Sequence, residues 1–456
     1  MRSLSTYLKT LSCVVSMDKQ AQSGTPFVER TDMPAPRDER VLLVPSVAGA
    51  VGNLLEWYDF GLYGLFAPIF AQLFFPDQDR IASLIGAYSG FAIGFAARPL
   101  GAAVLGHLGD RAGRRAVMVY SIVLMGFATT ATAILPTHHM IGIAAPMLLL
   151  FTRALQGFSV GGEYTGSVTY LVETAPSKRR GLAGSIANIG ATAGMLLASG
   201  VATATLLLAN SAEVRTWAWR IPFLLGGVIA TTGYLLRHRM RDTGFTPTAS
   251  AHASLPLRVA IAEAPGAMLR AFLFTSGYGI VNYLTMVFLP TYAATFGGVA
   301  EKKALQANTA AQALALFIVP IAAWVTDRAV RRRTLLIIAF AAEFVVGWSG
   351  IALASRGGVA GVWTAQLGFA FLLALIMAAE PATLAEQFRS EFRLSAYSVS
   401  YNLGIGLAGG TAPLVATALI ATTGDAMAPA WYLMLGSAIA AGAAFLMVDR
   451  SSKPLR

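Results

Sequence analysis

From Val41 onward the chain is a succession of apolar runs, each long enough to cross about 30 Å of hydrocarbon as a helix. About twelve runs meet that length criterion. They fall near 42–74, 82–106, 117–136, 143–174, 183–209, 219–236, 266–295, 304–326, 334–354, 360–386, 395–421 and 428–448. This recurrence leaves an all-α membrane protein of twelve transmembrane helices as the fold to expect. Composition agrees: 55% of the 456 residues are hydrophobic and 12% are charged, and the mean hydropathy is +0.61, outside the range of ordinary soluble domains.

The net charge of +11 does not point to nucleic acid, because the cations sit in short clusters between apolar runs and read as topology signals. Cys13 is the single cysteine, and no Cys/His cluster offers a metal or redox site. Arg111, Arg114 and Arg115 form one cluster, and Lys178, Arg179 and Arg180 the next. Arg237, Arg239 and Arg241, then Arg328 with Arg331, Arg332 and Arg333, then Arg389 and Arg393 follow at every second loop. The intervening loops are poorer in cations, so the positive-inside bias places both termini in the cytosol. Residues 1–40 read as a disordered cytoplasmic tail, 41–236 and 266–448 as two six-helix halves, 237–265 as a cytoplasmic linker and 449–456 as a short cytoplasmic tail.

The halves look repeated. GDRAGRRAV at 109–117 recurs as TDRAVRRRT at 326–334, and Asn188 has a counterpart in Asn402. Asp110 and Asp327 are 217 residues apart, the asparagines 214. Parallel repeats with a site between them near the midplane are one known transporter arrangement.

Charges inside the spans locate candidate chemistry, since an ionisable group at the centre of a membrane helix costs roughly 2.5–3.5 kcal/mol unless it is paired or faces a polar cavity. In the first span Asn53, Glu56, Asp59 and Tyr63 are three, three and four residues apart and share a helical face. In the fourth, Arg153, Gly157, Val160, Tyr164 and Leu171 share a face, with Gln156 and Ser167 at its margins. A carboxylate beside Arg153 would load and release a proton; Glu56 has the alternative of sitting near a helix end or among polar neighbours. Gly86, Gly90 and Gly94 form a small-residue ridge suited to close packing, and Arg98 on the same line either snorkels toward the cytoplasmic side or binds. Tyr278 and Asn282 share a face of the uncharged seventh span, beside Tyr283. Glu343 and Glu380 lie inside spans without an evident role. Opposite charges on Asp110, Arg111, Arg114, Arg115, Glu173, Arg180, Asp327 and Arg328 are expected to latch the cytoplasmic face, with Asp110 a candidate for a helix N-terminus of the other half.

GNLLEWYDFGLYG, RPLGAAVLGHLGDRAGRR, RALQGFSVGGEYTGS, ETAPSKRRG, WAWRIPF and YNLGIGLAGG, in this order and spacing, resemble the signatures of the metabolite:proton symporters of the major facilitator superfamily. The resemblance covers nearly the whole chain after Val41. It implies a proton-driven importer, not an enzyme, working by alternating access in a bacterial inner membrane as a monomer and needing no cofactor. It also implies that Asp59 and Arg153 form the proton-coupled pair. Members of the family carry proline and betaine, 2-oxoglutarate, citrate or shikimate. The chain departs from the family pattern at Val330, in place of a glycine, and in QFRSEFR at 387–393, which lacks the usual proline.

Within that frame Arg153 supplies one firmly placed cation, suiting one carboxylate. Tyr63, Tyr164, Tyr278 and Tyr283 offer cation–π faces to a substituted ammonium, and Asn53, Gln156 and Asn282 add hydrogen bonding. The expectation is a zwitterion such as proline or betaine. A di- or tricarboxylate is the alternative, with an efflux antiporter the nearest rival mechanism. The absence of G-x-x-x-x-G-K-[ST] argues against an ATP-driven pump.

Overall fold

In the computed structural model the described backbone covers residues 39–112, 114–239, 256–451 and 453–455; side chains are described from Gly52, excluding 106–107, 109–118, 236–256, 452 and 456. The N-terminal tail assignment, most of the 237–265 linker with Arg237, Arg239 and Arg241, and the gate candidates Asp110, Arg111, Arg114 and Arg115 therefore lie outside the described residues or side chains.

Twelve membrane segments follow in order. The first half has α1 (Glu39–Leu65, continued by Ala67–Phe74), α2 (Arg80–Ala96, continued by Arg98–Ala112), α3 (Arg114–Ile134), α4 (Ala144–Ser159, continued by Glu163–Thr174), α5 (Arg180–Leu208) and α6 (Arg220–Arg239). The second has α7 (Pro265–Tyr283, continued through Leu284–Phe288 to Leu289–Phe296), α8 (Glu301–Thr326), α9 (Arg332–Arg356), α10 (Gly358–Ala385), α11 (Arg393–Gly404, continued through Ile405–Gly409 to Ala412–Thr423) and α12 (Ala428–Leu446). A short helix, Pro256–Glu263, occupies the end of the stretch expected as linker, and its Glu263 pairs with Arg389 at 3.1 Å. Among the described residues, eight segments are long and apolar enough to cross a membrane by length and composition; Val119–Ile134 and Arg220–Leu235 are shorter apolar helices.

Proline and glycine set the interruptions. Pro68 stands in the first turn after the break at Phe66, and Pro290 and Pro413 follow wide π-type turns in α7 and α11. Proline has no N–H to donate and its ring crowds the preceding turn, so a helix yields there. In α4 the break falls at Val160–Gly162, and the long shared face expected from Arg153 to Leu171 is divided into two. The glycine ridge of α2 does allow close approach: a Cβ at Gly90 would lie 2.1 Å from the Tyr63 hydroxyl, and one at Gly157 would lie 1.7 Å from the Gly94 carbonyl oxygen.

Packing between the halves repeats as the sequence does. Helix α5 packs on α8 and α10, and the corresponding helix α11 packs on α2 and α4. Asn188 of α5 donates to the Met377 carbonyl of α10 at 2.8 Å, while Asn402 of α11 donates to the Gly161 carbonyl in the α4 break at 3.3 Å. The two asparagines therefore make matching stitches in opposite directions.

Candidate functional site

The polar face of α1 is fully buried, and each residue on it meets a different neighbour. Asn53 donates to the Ser167 hydroxyl at 3.1 Å and, at 3.5 Å, to the Ala187 carbonyl. Glu56 pairs with Arg98 at 2.9 Å, and Asp59 pairs with Arg153 at 2.9 Å. The Tyr63 hydroxyl donates to the Ala87 carbonyl at 2.9 Å.

Asp59 has further donors: Thr129 Oγ1 and Gln156 Nε2, each 2.7 Å from its Oδ1. Arg153 also donates to the Gln156 side-chain oxygen. Its guanidinium lies 4.3 Å from the Tyr63 ring centre and 4.8 Å from that of Phe60. The Arg98 guanidinium lies 4.5 Å from the same Phe60 and 4.2 Å from Phe95. One helical turn thus carries two carboxylate–guanidinium pairs separated by an aromatic ring. Breaking either by removing a partner would strand a buried charge, which costs about 3–5 kcal/mol.

Arg98 does not snorkel: only 1% of its surface is exposed. It lies just after the helix interruption at Ala97 and is consumed by Glu56, so it is not a spare cation for a second substrate carboxylate. Glu56, in turn, is neither at a helix end nor among merely polar neighbours.

A second polar centre joins the halves. Glu380 of α10 accepts from the Tyr164 hydroxyl at 3.0 Å and from Asn188 Nδ2 at 3.1 Å, and the Tyr397 hydroxyl stands 3.4 Å from its other oxygen. Tyr164 stacks on Tyr401 with ring centres 4.9 Å apart and meets Trp57 edge-on at 6.4 Å. Trp57 stacks on Tyr283 at 6.2 Å. Tyr278 and Asn282 are buried on α7; Tyr278 packs beside Phe274. Glu343 is also fully buried, with neither carboxylate oxygen hydrogen-bonded among the described residues.

At the basic end of the bundle the halves are latched. Asp327 accepts from the Gly181 and Leu182 backbone N–H groups, both at 2.8 Å, at the start of α5. This is the helix-terminus role expected of Asp110, observed here for its repeat counterpart; the exposed N–H groups and the helix dipole both favour a carboxylate at that point. Glu386 takes Arg180 at 3.1 Å and Arg332 at 2.5 Å, and Arg332 also reaches Asp327 at 3.3 Å. Glu173 pairs with Arg393, across the halves rather than with its sequence neighbours Lys178–Arg180. Arg328, expected in this latch, instead lies 4.2 Å from the Trp324 ring centre. Arg332, Glu386 and Arg393 are latch residues that sequence reasoning passed over.

The sequence profile described as "Sugar (and other) transporter" matches residues 46–245. A putative proline/betaine transporter of Staphylococcus haemolyticus is 33% identical over 85% of this chain and 83% of its own length. A glycine betaine/proline/ectoine/pipecolic acid transporter of Dickeya dadantii is 30% identical over 92% and 86%.

The chain belongs to the metabolite:proton symporter family of the major facilitator superfamily. The family's fold is also that of solved structures: a D-xylose–proton symporter shares it with a TM-score of 0.73 at 17% identity, over 91% of this chain and 100% of that one. A partially occluded inward-open form of the Escherichia coli xylose transporter XylE gives 0.73 at 15% identity, over 91% and 99%. Membership makes this chain a membrane-spanning transporter with twelve helices in two halves.

Proposed function

We propose that the chain is a proton-coupled symporter importing a small zwitterion of the proline/betaine kind by alternating access. The observation that carries this reading is the pairing of both α1 carboxylates with Arg98 and Arg153, which leaves neither arginine beside α1 as a spare cation to favour a di- or tricarboxylate. The names of the relatives point the same way. Proton uptake is assigned to the Asp59–Arg153 pair, with Gln156 and Thr129 holding the carboxylate when Arg153 turns to a substrate carboxylate. The guanidinium fork matches a carboxylate with two donors, and its Nε and Nη2 make no hydrogen bond among the described residues. Asn53, Tyr63, Tyr164, Tyr278 and Asn282 are assigned to the pathway, and Glu56 with Arg98 to a second, structural or coupling, pair.

Uptake into proteoliposomes under an imposed pH gradient tests the substrate. Excess proline or glycine betaine is expected to suppress uptake of the labelled zwitterion, and 2-oxoglutarate, succinate and citrate are expected to leave it unchanged. Inhibition by the organic acids alone would replace this reading with the dicarboxylate one.

The loop charges support a bacterial inner-membrane protein with the latched end facing the cytosol. Ala212, Ser177 and Gly357 are all exposed, so reactivity there reports sidedness. With Cys13 replaced, cysteines at Ala212 and Gly357 are expected to react with an impermeant external reagent and one at Ser177 to remain protected; the opposite pattern reverses the orientation.

A further inference from the structure

The transport reading uses the carboxylates of α1 and leaves Glu380 without a task. Glu380 is fully buried, and the ion pairs among the described residues include no cation for it. Its donors are two tyrosine hydroxyls and one amide. Tyr401 stacks on Tyr164 and meets Tyr397 edge-on with ring centres 5.7 Å apart, so it packs against two of the rings whose hydroxyls face the carboxylate. Trp57 and Tyr283 extend the aromatic wall, and the Trp57 indole N–H and Tyr283 hydroxyl are buried without a hydrogen-bond partner among the described residues. The residues come from α1, α4, α5, α7, α10 and α11, so both halves contribute.

A carboxylate held by tyrosine hydroxyls among aromatic rings is the chemistry that recognises a substituted ammonium. The rings, stacked on one another here, offer their negative faces to a diffuse, weakly hydrated cation when they part around it, while the carboxylate supplies the charge that a tryptophan or tyrosine alone cannot. A buried acid hydrogen-bonded to neutral donors and given no internal cation is suited to receive one from outside. We infer that Glu380 and its tyrosine shell form the subsite for the cationic end of the substrate and thereby select zwitterions over simple carboxylates. This deepens, and rests on, the proline/betaine reading above.

Two probes of matched shape isolate the charge: glycine betaine and 3,3-dimethylbutanoate, in which carbon replaces the quaternary nitrogen. Their competition is measured against zwitterion binding to the purified full-length protein. The intact protein is expected to prefer betaine by at least about 30-fold, a cation's worth of cage and carboxylate contact. Glu380→Gln is expected to reduce that preference to less than about threefold, and Glu380→Asp, which keeps the charge, to retain more than about tenfold. A merely structural role would weaken both probes equally and leave their ratio intact; that result overturns the inference. Should Glu380→Gln fail to fold, Tyr401→Leu is the second variant. It is expected to lower betaine affinity about three- to thirtyfold relative to the carbon analogue, and an unchanged ratio again overturns the assignment. If the intact protein binds neither betaine nor proline but does bind organic acids, the substrate reading itself falls, an outcome distinct from a ratio that survives Glu380→Gln.

Discussion

Asp59→Asn is expected to abolish accumulation against a gradient while substrate exchange at equilibrium partly survives. The amide oxygen can keep the acceptor contacts to Thr129 and Gln156. It carries no titratable proton, so the pH gradient has nothing to act on. With one proton carried per substrate, a one-unit pH gradient supports about tenfold accumulation, and the variant is expected to show none. The substitution also leaves Arg153 without its carboxylate, a loss of roughly 3–5 kcal/mol for a buried pair, so the uptake is normalised to folded protein recovered in the vesicles. Accumulation persisting under a pure pH gradient would transfer the coupling role to Glu56.

The second large effect is expected at Glu386. Its carboxylate holds both Arg180 and Arg332, and Arg180 also donates to the Lys453 carbonyl at 2.9 Å. Glu386→Gln leaves buried Arg180 without its carboxylate and Arg332 with Asp327 alone at 3.3 Å, so the closed latch loses its advantage over states in which those cations reach water. Ser398 lies behind the latch, accepting from the Thr165 hydroxyl across the halves at 3.1 Å. A cysteine in its place, with Cys13 replaced, should be labelled from the latched side at least about tenfold faster in the Glu386→Gln background, a shift of about 1.4 kcal/mol in the opening equilibrium. An unchanged labelling rate would mean that Asp327 on the α5 N-terminus and Glu173 with Arg393 hold the closure by themselves.

Much of this architecture was legible because membrane helices obey a length rule: the apolar runs gave twelve segments, and the paired DR loops gave two halves. The α1 face was equally readable, since Asn53, Glu56, Asp59 and Tyr63 at helical spacing must point the same way wherever the helix goes. The partner of Asp59 was indicated by the family resemblance. That of Glu56 was not, because Arg98 stands beside Pro99 in a segment that reads like a helix end, and only the interruption at Ala97 shows how it stays buried. The latch was misread in detail for a related reason. Sequence charge says which residues share an end of the bundle, whereas the pairing of Glu386 with Arg332, or Glu173 with Arg393, depends on how two loops more than 50 residues apart meet. Arg328 had the charge for the latch but found an indole ring instead. Glu380 illustrates the opposite limit: a lone acid in an apolar run announces that it matters, but its shell combines Tyr397 of the next helix with Tyr164 and Asn188 from the other half of the chain.

The interruption in α4 has a consequence for the speed of alternation. A helix that stops in mid-membrane exposes carbonyls that lipid cannot satisfy, and here the Gly161 carbonyl is met by Asn402 from the opposite half. When the halves rock apart, that carbonyl must be rehydrated as the asparagine withdraws. Separation and wetting are therefore one event, and the barrier contains the mismatch between breaking the stitch and receiving a water molecule, with a net hydrogen-bond worth of about 0.5–1.5 kcal/mol at stake. A carrier stitched in this way would cross its barrier most readily when solvent enters as fast as the seam opens.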